Sequence, residues 1–431
     1  MVAVALLTTA VVGLPVALLL NRQLRGGALA GTAFLLGTGV VYGVLLMMAV
    51  AGVQWSLPAV AAALILIAGA SLLAVSRRKR DLTPGALPFR FHPIDAATVA
   101  VIGAHFAFAT IAPVWEWDFW AIWGLKGRVF YEARSVDWRF LGSPWNDFAH
   151  PDYPLLLPLN LTHAALWSAG WDDRWLGAFT AACALAIVLI VRWLTAEECS
   201  PVVSAAIGFV AASLGSSEHV GLAEGPLIAL GTGGLLFIRR HLHGNDDGSL
   251  RAGAVLLGLA ASTKNEGIAL IVSAVLALLL FSRNRKEIVR LWPAAAILMP
   301  WIVLRMAHGL RGEFGAFVID RFVNRLGAAD AIAASLLQSL AQPFLWIALL
   351  VGLICVPAAR RVRERFLLAV VAFQLLAYVA AYFVTPRDVM WHIATSWSRL
   401  TSHLLLPFAL ATLLALAQRR QGEEDRAHGE A

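Results

Sequence analysis

Thirteen apolar stretches separated by short polar turns make up most of the chain. They fall near 2–20, 28–53, 57–76, 96–114, 175–194, 201–215, 222–238, 251–263, 266–282, 288–304, 332–356, 366–384 and 403–418. Most have the length that an α-helix needs to cross about 30 Å of hydrocarbon. The pattern predicts an all-α polytopic membrane protein with about 13 transmembrane helices. Residues 2–20 lack a basic leader and a small-residue cleavage site, so they read as a retained first helix. Composition agrees. The 431 residues are 59% hydrophobic and 14% charged, whereas soluble domains carry about a quarter charged residues. No large hydrophilic domain remains between the apolar stretches.

One stretch resists the pattern. "HPDYPLLLPLNLTHAALWSAG", 150–170, has the apolar content of a span but opens with His, Asp and Tyr between prolines. The positive-inside rule arbitrates. "RRKR" at 77–80 places the loop after the third run in the cytoplasm. If 154–170 does not cross, "RRHLHG" (239–244), "RNRK" (283–286), "RRVRER" (360–365) and "QRRQ" near the C-terminus all face the cytoplasm too. Most of the 34 Lys and Arg then lie inside. The expected map has the N-terminus outside, the C-terminus inside and 154–170 flat on the outer surface. The +7 balance then reflects topology and not nucleic-acid binding. The external segment, about 115–174 and its edge, holds nine of the 16 Trp. Trp favours the headgroup layer, so short amphipathic helices on the outer surface are expected there. The three cysteines, Cys183, Cys199 and Cys355, show no metal-binding or disulfide spacing.

Five polar clusters interrupt the apolar runs, and under this map all five lie outside. Glu116 and Asp118 sit among tryptophans in "VWEWDFWAIWGLKGR", with Lys126 in the same stretch. A carboxylate beside apolar rings can act as a general base; it can equally flank an interfacial Trp belt. In "HPDYP", Asp152 can cap the next helix, while His150 and Tyr153 can line a sugar pocket. In "SSEHVGLAEGPLIAL", Glu218 and Glu224 precede or open a span, where a helix N-terminus favours negative charge. In "ASTKNEGIAL", Lys264 and Glu266 divide a long apolar run: a structural pair, or a lysine awaiting an anion. Finally Arg399 and His403 stand before the last apolar run, where Arg can snorkel or fork onto a phosphate.

In their order, "WEWDFW", "HPDYPLLLPL", "AEGPL", "STKNEG" and an Arg before the last span resemble the GT-C superfamily of integral-membrane glycosyltransferases. The resemblance is to the bacterial branch related to protein mannosyltransferases and aminoarabinose transferases. It covers 96–418. Residues 1–95 then form extra N-terminal transmembrane helices with a cytoplasmic loop, and 419–431 a polar cytoplasmic tail. That superfamily places its acidic loop after the first span, whereas three spans precede it here. The resemblance implies a GT-C-like helical bundle in the inner (plasma) membrane, with its active site facing the periplasm or exterior. It implies a polyprenyl-phosphate-linked sugar donor, an inverting displacement, and a glycan, lipid or protein acceptor. Asp118, or else Glu116, would be the base. Lys264 and Arg399 would steady the phosphate, and Glu224 and Asp152 would orient sugar or acceptor. Lys126, His150, Tyr153, Glu266 and His403 complete the expected substrate-binding set. A divalent metal is permitted by paired carboxylates but not required. Two rivals stay open: an O-antigen-ligase or polymerase-like enzyme, given the basic 305–331 loop, and a lipid-linked-saccharide flippase or transporter.

Overall fold

The computed structural model describes residues 1–77, 89–216, 220–244, 246–282, 284–310, 312 and 318–417. "RRKR" beyond Arg77, Glu218 and the tail after 417 lie outside the described residues. The described chain is helical, without strands. Its helices are α1 (Val2–Leu20), α2 (Gly26–Val50), α3 (Leu57–Ser76), α4 (Pro93–Ile111), α5 (Gly124–Ala133), α6 (Trp138–Gly142) and α7 (Leu156–Ser168). There follow α8 (Asp173–Leu176), α9 (Ala178–Thr195), α10 (Pro201–Gly215), α11 (Glu224–Gly244), α12 (Asp247–Ala261), α13 (Glu266–Phe281) and α14 (Lys286–Val289). The last are α15 (Trp292–Ala307), α16 (Val318–Arg325), α17 (Ala329–Gln338), α18 (Pro343–Cys355), α19 (Ala358–Arg363), α20 (Arg365–Val384) and α21 (Val389–Ala417).

Every apolar run became a helix, but not every helix has the length of a span. Eight are long and apolar enough to cross a membrane. A ninth is possible if α16–α17 and α18, bent by 94°, count together. By length and composition, eight or nine helices among the described residues meet that standard, against the 13 expected. α10, α12 and α13 have 15, 15 and 16 residues, or roughly 22–24 Å at 1.5 Å per residue. α11 has 21 residues but carries Arg239, Arg240 and two histidines near its end. Along α11 and α12 nearly every residue is buried. A helix sheathed by protein is as apolar as one sheathed by lipid, so periodicity alone does not separate them.

The chain divides into two compact units, Met1–Ile268 with Val289–Leu310, and Ala269–Ile288 with Arg311–Ala431. The division cuts α13 near its start. α1 and α2 pack on α7 and α9 within the first unit, so the segment before residue 96 belongs to that body. In the second unit α21 packs on α17, α18 and α20. There Ser273 Oγ donates to Gln374 Oε1 (3.0 Å), and Trp346 stacks on Phe408.

Polar contacts sort the loops of the first unit to two ends. At one end Asn21 Nδ2 bonds Asp246 Oδ2 (2.9 Å), Arg239 forks onto Glu198 (2.8 and 2.9 Å), and Arg290 meets Asp247 (2.7 Å). Also there, Arg192 holds Asp95 through two bonds of 2.7 and 3.0 Å and donates to Ser204 Oγ (2.8 Å). At the other end Trp55 N donates to Arg134 O, and Trp138 stacks on His308 at 4.0 Å. Met1, Phe106, Trp171 and Ala178 line a hollow of about 520 Å³ at this end. α1, α4, α9, α11, α12 and α15 each run from one end to the other.

α7 does not. Its first amide, Leu156 N, donates to Ser262 O at 3.0 Å, at the C-terminus of α12. Its last residue, Ser168, lines the same hollow as Met1. Both ends of this 13-residue helix therefore lie at one end of the unit, and it does not cross. Nor does it lie on the surface: Leu156 to Leu166 are all buried. Asn160 Nδ2 reaches Thr38 O in α2 (3.1 Å), and Thr162 Oγ1 reaches Gly127 O in α5 (3.0 Å). The amphipathic surface helix expected from sequence is a helix buried on all faces, with α5 packed against it. A pair of exposed flanking positions tests its course. In a background with the three native cysteines replaced, Trp145→Cys and Arg174→Cys should both react with a membrane-impermeant maleimide from the same side. Reaction from opposite sides would mean that α7 crosses.

Candidate functional site

The α12–α13 turn, Ser262–Gly267, carries a charge triad. Lys264 Nζ lies 3.0 Å from Glu224 Oε1 and 2.8 Å from Glu266 Oε1. Each charge sits at the helix end that favours it. Glu224 and Glu266 open α11 and α13, where the dipole is positive, and Lys264 follows the C-terminus of α12, where it is negative. The turn is tight: a Cβ on Gly267 would stand 2.4 Å from Ala260 C and O, so only glycine fits. Lys264 is thus held by two carboxylates, where the sequence offered one.

The next residue of the turn reaches a second cluster. Asn265 Nδ2 donates to Asp152 Oδ2 at 3.1 Å, joining "TKNEG" to "HPDYP". Asn265 Oδ1 is buried and accepts no hydrogen bond among the described residues. Asp152 is buried. Burial pushes its carboxyl above the usual range, against the opposing fields of Arg305, His150 and Lys126. Asp152 does not cap α7: the cap position is Leu155, with no side-chain bond.

His150 adopts a left-handed backbone (φ 49°) at the end of the 3-10 turn Pro144–Ala149. Its carbonyl accepts a 2.9 Å bond from Lys126 Nζ. Its ring stacks on Tyr153 (4.6 Å), and Tyr153 stacks on Trp123 (5.4 Å). Lys126 Nζ lies 5.2 and 5.7 Å from the Trp123 and Tyr153 ring centroids, within cation–π range. Lys126 is fully buried. It supports the loop from beneath, through the His150 carbonyl, and is not open to solvent. Burial pulls its ammonium down to about 7, with the Asp152 carboxylate opposing.

Glu116 and Asp118 are half-buried at the same end, while Trp115, Trp117 and Trp120 around them are exposed. A π-helical turn, Phe119–Trp123, follows Asp118 and runs into α5. Such turns recur at functional sites. Val114 and Phe119 pack against Gly221, whose backbone is left-handed (φ +79°) and on which a Cβ would stand 2.8 Å from Val114 Cγ1. Gly221 lies three residues before Glu224, so the first cluster borders the third.

The structure therefore assembles Glu116, Asp118, Lys126, His150, Asp152, Tyr153, Glu224, Lys264 and Glu266 at one end of the first unit. Arg399 and His403 belong to the second unit, well inside α21 and not before it, because the helix already begins at Val389. His403 Nδ1 pairs with Tyr378 OH at 3.1 Å. Three contributors escaped the sequence reading. Asn265 stood inside a motif read for its charges, Trp123 inside a supposed belt, and Arg305 at a helix end where basic residues are ordinary. Among the described residues no group of three His, Cys, Asp or Glu is placed to hold a metal ion.

The buried ammonium makes stability pH-dependent. Unfolded, Lys126 keeps its proton to about 10.5. Between about pH 7 and 10 the unfolded chain binds more protons there than the folded one, so this residue's contribution rises with pH. Its slope is at most about 1.4 kcal/mol per pH unit. The melting temperature of the wild type in detergent, minus that of Lys126→Met, should climb from pH 7 to pH 10. A flat difference would mean that the folded protein keeps Lys126 charged.

No family model, no curated protein and no solved structure matches the chain.

Proposed function

We propose that this helical membrane protein is a glycosyltransferase of the GT-C type. It moves a sugar from a polyprenyl-phosphate donor to a glycan, lipid or protein acceptor at the outer face of the inner membrane, with inversion. The observation that carries this reading is convergence. Four polar clusters, two of them joined across 113 residues by the Asn265–Asp152 bond, meet at one end of a bundle of long apolar helices. Acids and cations gathered at a membrane face suit a reaction between a membrane-held anion and an acceptor from the adjoining water.

The roles follow from placement. Asp118, half-buried among tryptophans, takes the proton of the acceptor hydroxyl, which is a poor nucleophile without a base. Lys264 meets the leaving phosphate by exchanging one of its carboxylates, and that contact strengthens as charge develops. Glu266 is the one exchanged, since its side chain is 17% exposed against 1% for Glu224. Asp152 and Glu224 accept hydroxyls of sugar or acceptor, and Asn265 Oδ1 offers a further acceptor. Arg399 and His403 are assigned no step.

Membranes containing the protein, given a polyprenyl-phosphate hexose labelled in the sugar, should transfer label with inversion at the anomeric carbon. Asp118→Asn should slow this by about 10²–10⁴ while expression and donor binding persist. Unchanged transfer in Asp118→Asn, with loss in Glu116→Gln, would move the base two residues back.

Lys264→Met strands the buried Glu224 and the half-buried Glu266 and should cost about 3–5 kcal/mol of stability. Adding Glu266→Gln should recover part of that stability without restoring transfer. A stable, fully active Lys264→Met/Glu266→Gln protein would remove Lys264 from the path of the phosphate.

A further inference from the structure

α16 of the second unit, "VIDRFVNR", divides cleanly into two faces. Val318, Ile319, Phe322, Val323 and, one step beyond, Leu326 fall on one stripe at helical spacing, and each is exposed. Asp320, Arg321, Asn324 and Arg325 fall on the opposite side.

The polar face is anchored. Arg321 Nε donates to Val384 O at 2.8 Å. Arg325 donates to Tyr382 O (3.0 Å), Thr385 O (2.6 Å) and Arg387 O (3.0 Å). These carbonyls belong to the C-terminus of α20 and the residues just after it, where a helix leaves its last acceptors unmet and its dipole favours cations. Phe322 leans on Phe383 of the same end, ring centres 5.7 Å apart.

α20 is one of the eight helices long and apolar enough to cross a membrane. In a helix that crosses, the end at Val384 would lie where hydrocarbon gives way to headgroups. Two arginines fix α16 at that level and turn their side of the helix inward, while Asp320 and Asn324 stay exposed beside them. Its apolar stripe is left pointing away from the protein, continuous with the open apolar flank of α20 at residues such as Leu376 (64% exposed). A helix of this kind, apolar on one side and charged on the other, beds in the boundary between headgroup and acyl chain. We infer that α16 is an interfacial helix whose partner is the lipid surface, with Ile319, Val323 and Leu326 inserted among the acyl chains.

The test uses the full chain reconstituted in phosphatidylcholine/phosphatidylglycerol vesicles, with Cys183→Ala, Cys199→Ser and Cys355→Ser as background. Spin labels go singly on Ile319→Cys, Val323→Cys, Asp320→Cys and Asn324→Cys, all at exposed positions. Labels at 319 and 323 should collide more with oxygen than with a water-soluble nickel chelate, and labels at 320 and 324 should show the reverse. Equal nickel access at all four positions would place the stripe in water. Exclusion of both quenchers from 319 and 323 would place it against protein, such as a second copy of this chain. Either result would overturn the inference.

Discussion

The first unit hangs on one turn. Six residues at the junction of α12 and α13, Ser262–Gly267, make four unlike commitments. Ser262 O takes the first amide of α7, Lys264 bridges the openings of α11 and α13, Asn265 holds Asp152, and Gly267 lets the two helices meet. In a low dielectric these bonds are strong when complete and costly when broken. A buried ion pair adds little net stability over an apolar core, yet removing one partner is expensive. The turn thus acts as a specifier: other packings of the same apolar helices leave a charge without its counterpart.

α7 extends that constraint sideways. Its entry is set by Ser262, its middle by Asn160 on α2 and Thr162 on α5. With α7 fixed, the loop before it has little room, and His150 accepts a left-handed backbone that non-glycine residues rarely adopt. The compensation is visible: Lys126 takes the carbonyl so exposed, and a ladder of His150, Tyr153 and Trp123 packs beside it. Rigid aromatic stacking and a buried ammonium hold Asp152 where Asn265 can reach it.

Much of this was legible in the sequence. The apolar runs foretold where helices form, and the interruptions foretold where charges gather. Loop charge also argued against 154–170 as a span, and the helix there, at 13 residues, is too short to be one. The failures have a common physical origin. Lipid and protein interior are both apolar, so α7 looked like a surface helix although it is buried in protein, and the sequence does not show that α11 and α12, which run the length of the unit, are sheathed almost wholly by protein. The same ambiguity hid the state of Lys126, which was expected among the substrate-binding residues and is fully buried. Pairing across long separations was also invisible. Nothing in the chain between Glu224 and Lys264 says that the lysine has a second carboxylate, because that contact exists only once α11 and α12 lie side by side. The position of Arg399 within α21 escaped for a simpler reason: Trp391, His392, Ser396 and Ser398 lower hydropathy without breaking a helix.

For the proposed reaction, the arrangement implies exchange and not simple capture. Around the turn each cation already has company: Lys264 has two carboxylates, Lys126 has the His150 carbonyl and the Asp152 field, and Arg305 donates to Leu310 O and faces Asp152. At formal charges Lys264, Glu224 and Glu266 sum to minus one, so the intact triad does not by itself attract a phosphate. A phosphate therefore gains Lys264 only as Glu266 gives way, and Glu266 can do so at modest cost. It is the more exposed carboxylate, and the N-terminus of α13 still stabilises it after the lysine has turned. Glu224, sealed from solvent, has no such freedom and keeps Lys264 oriented throughout. A cation held on one side and released on the other favours an anion whose charge grows during reaction over one that merely arrives, which is the asymmetry that transition-state binding requires.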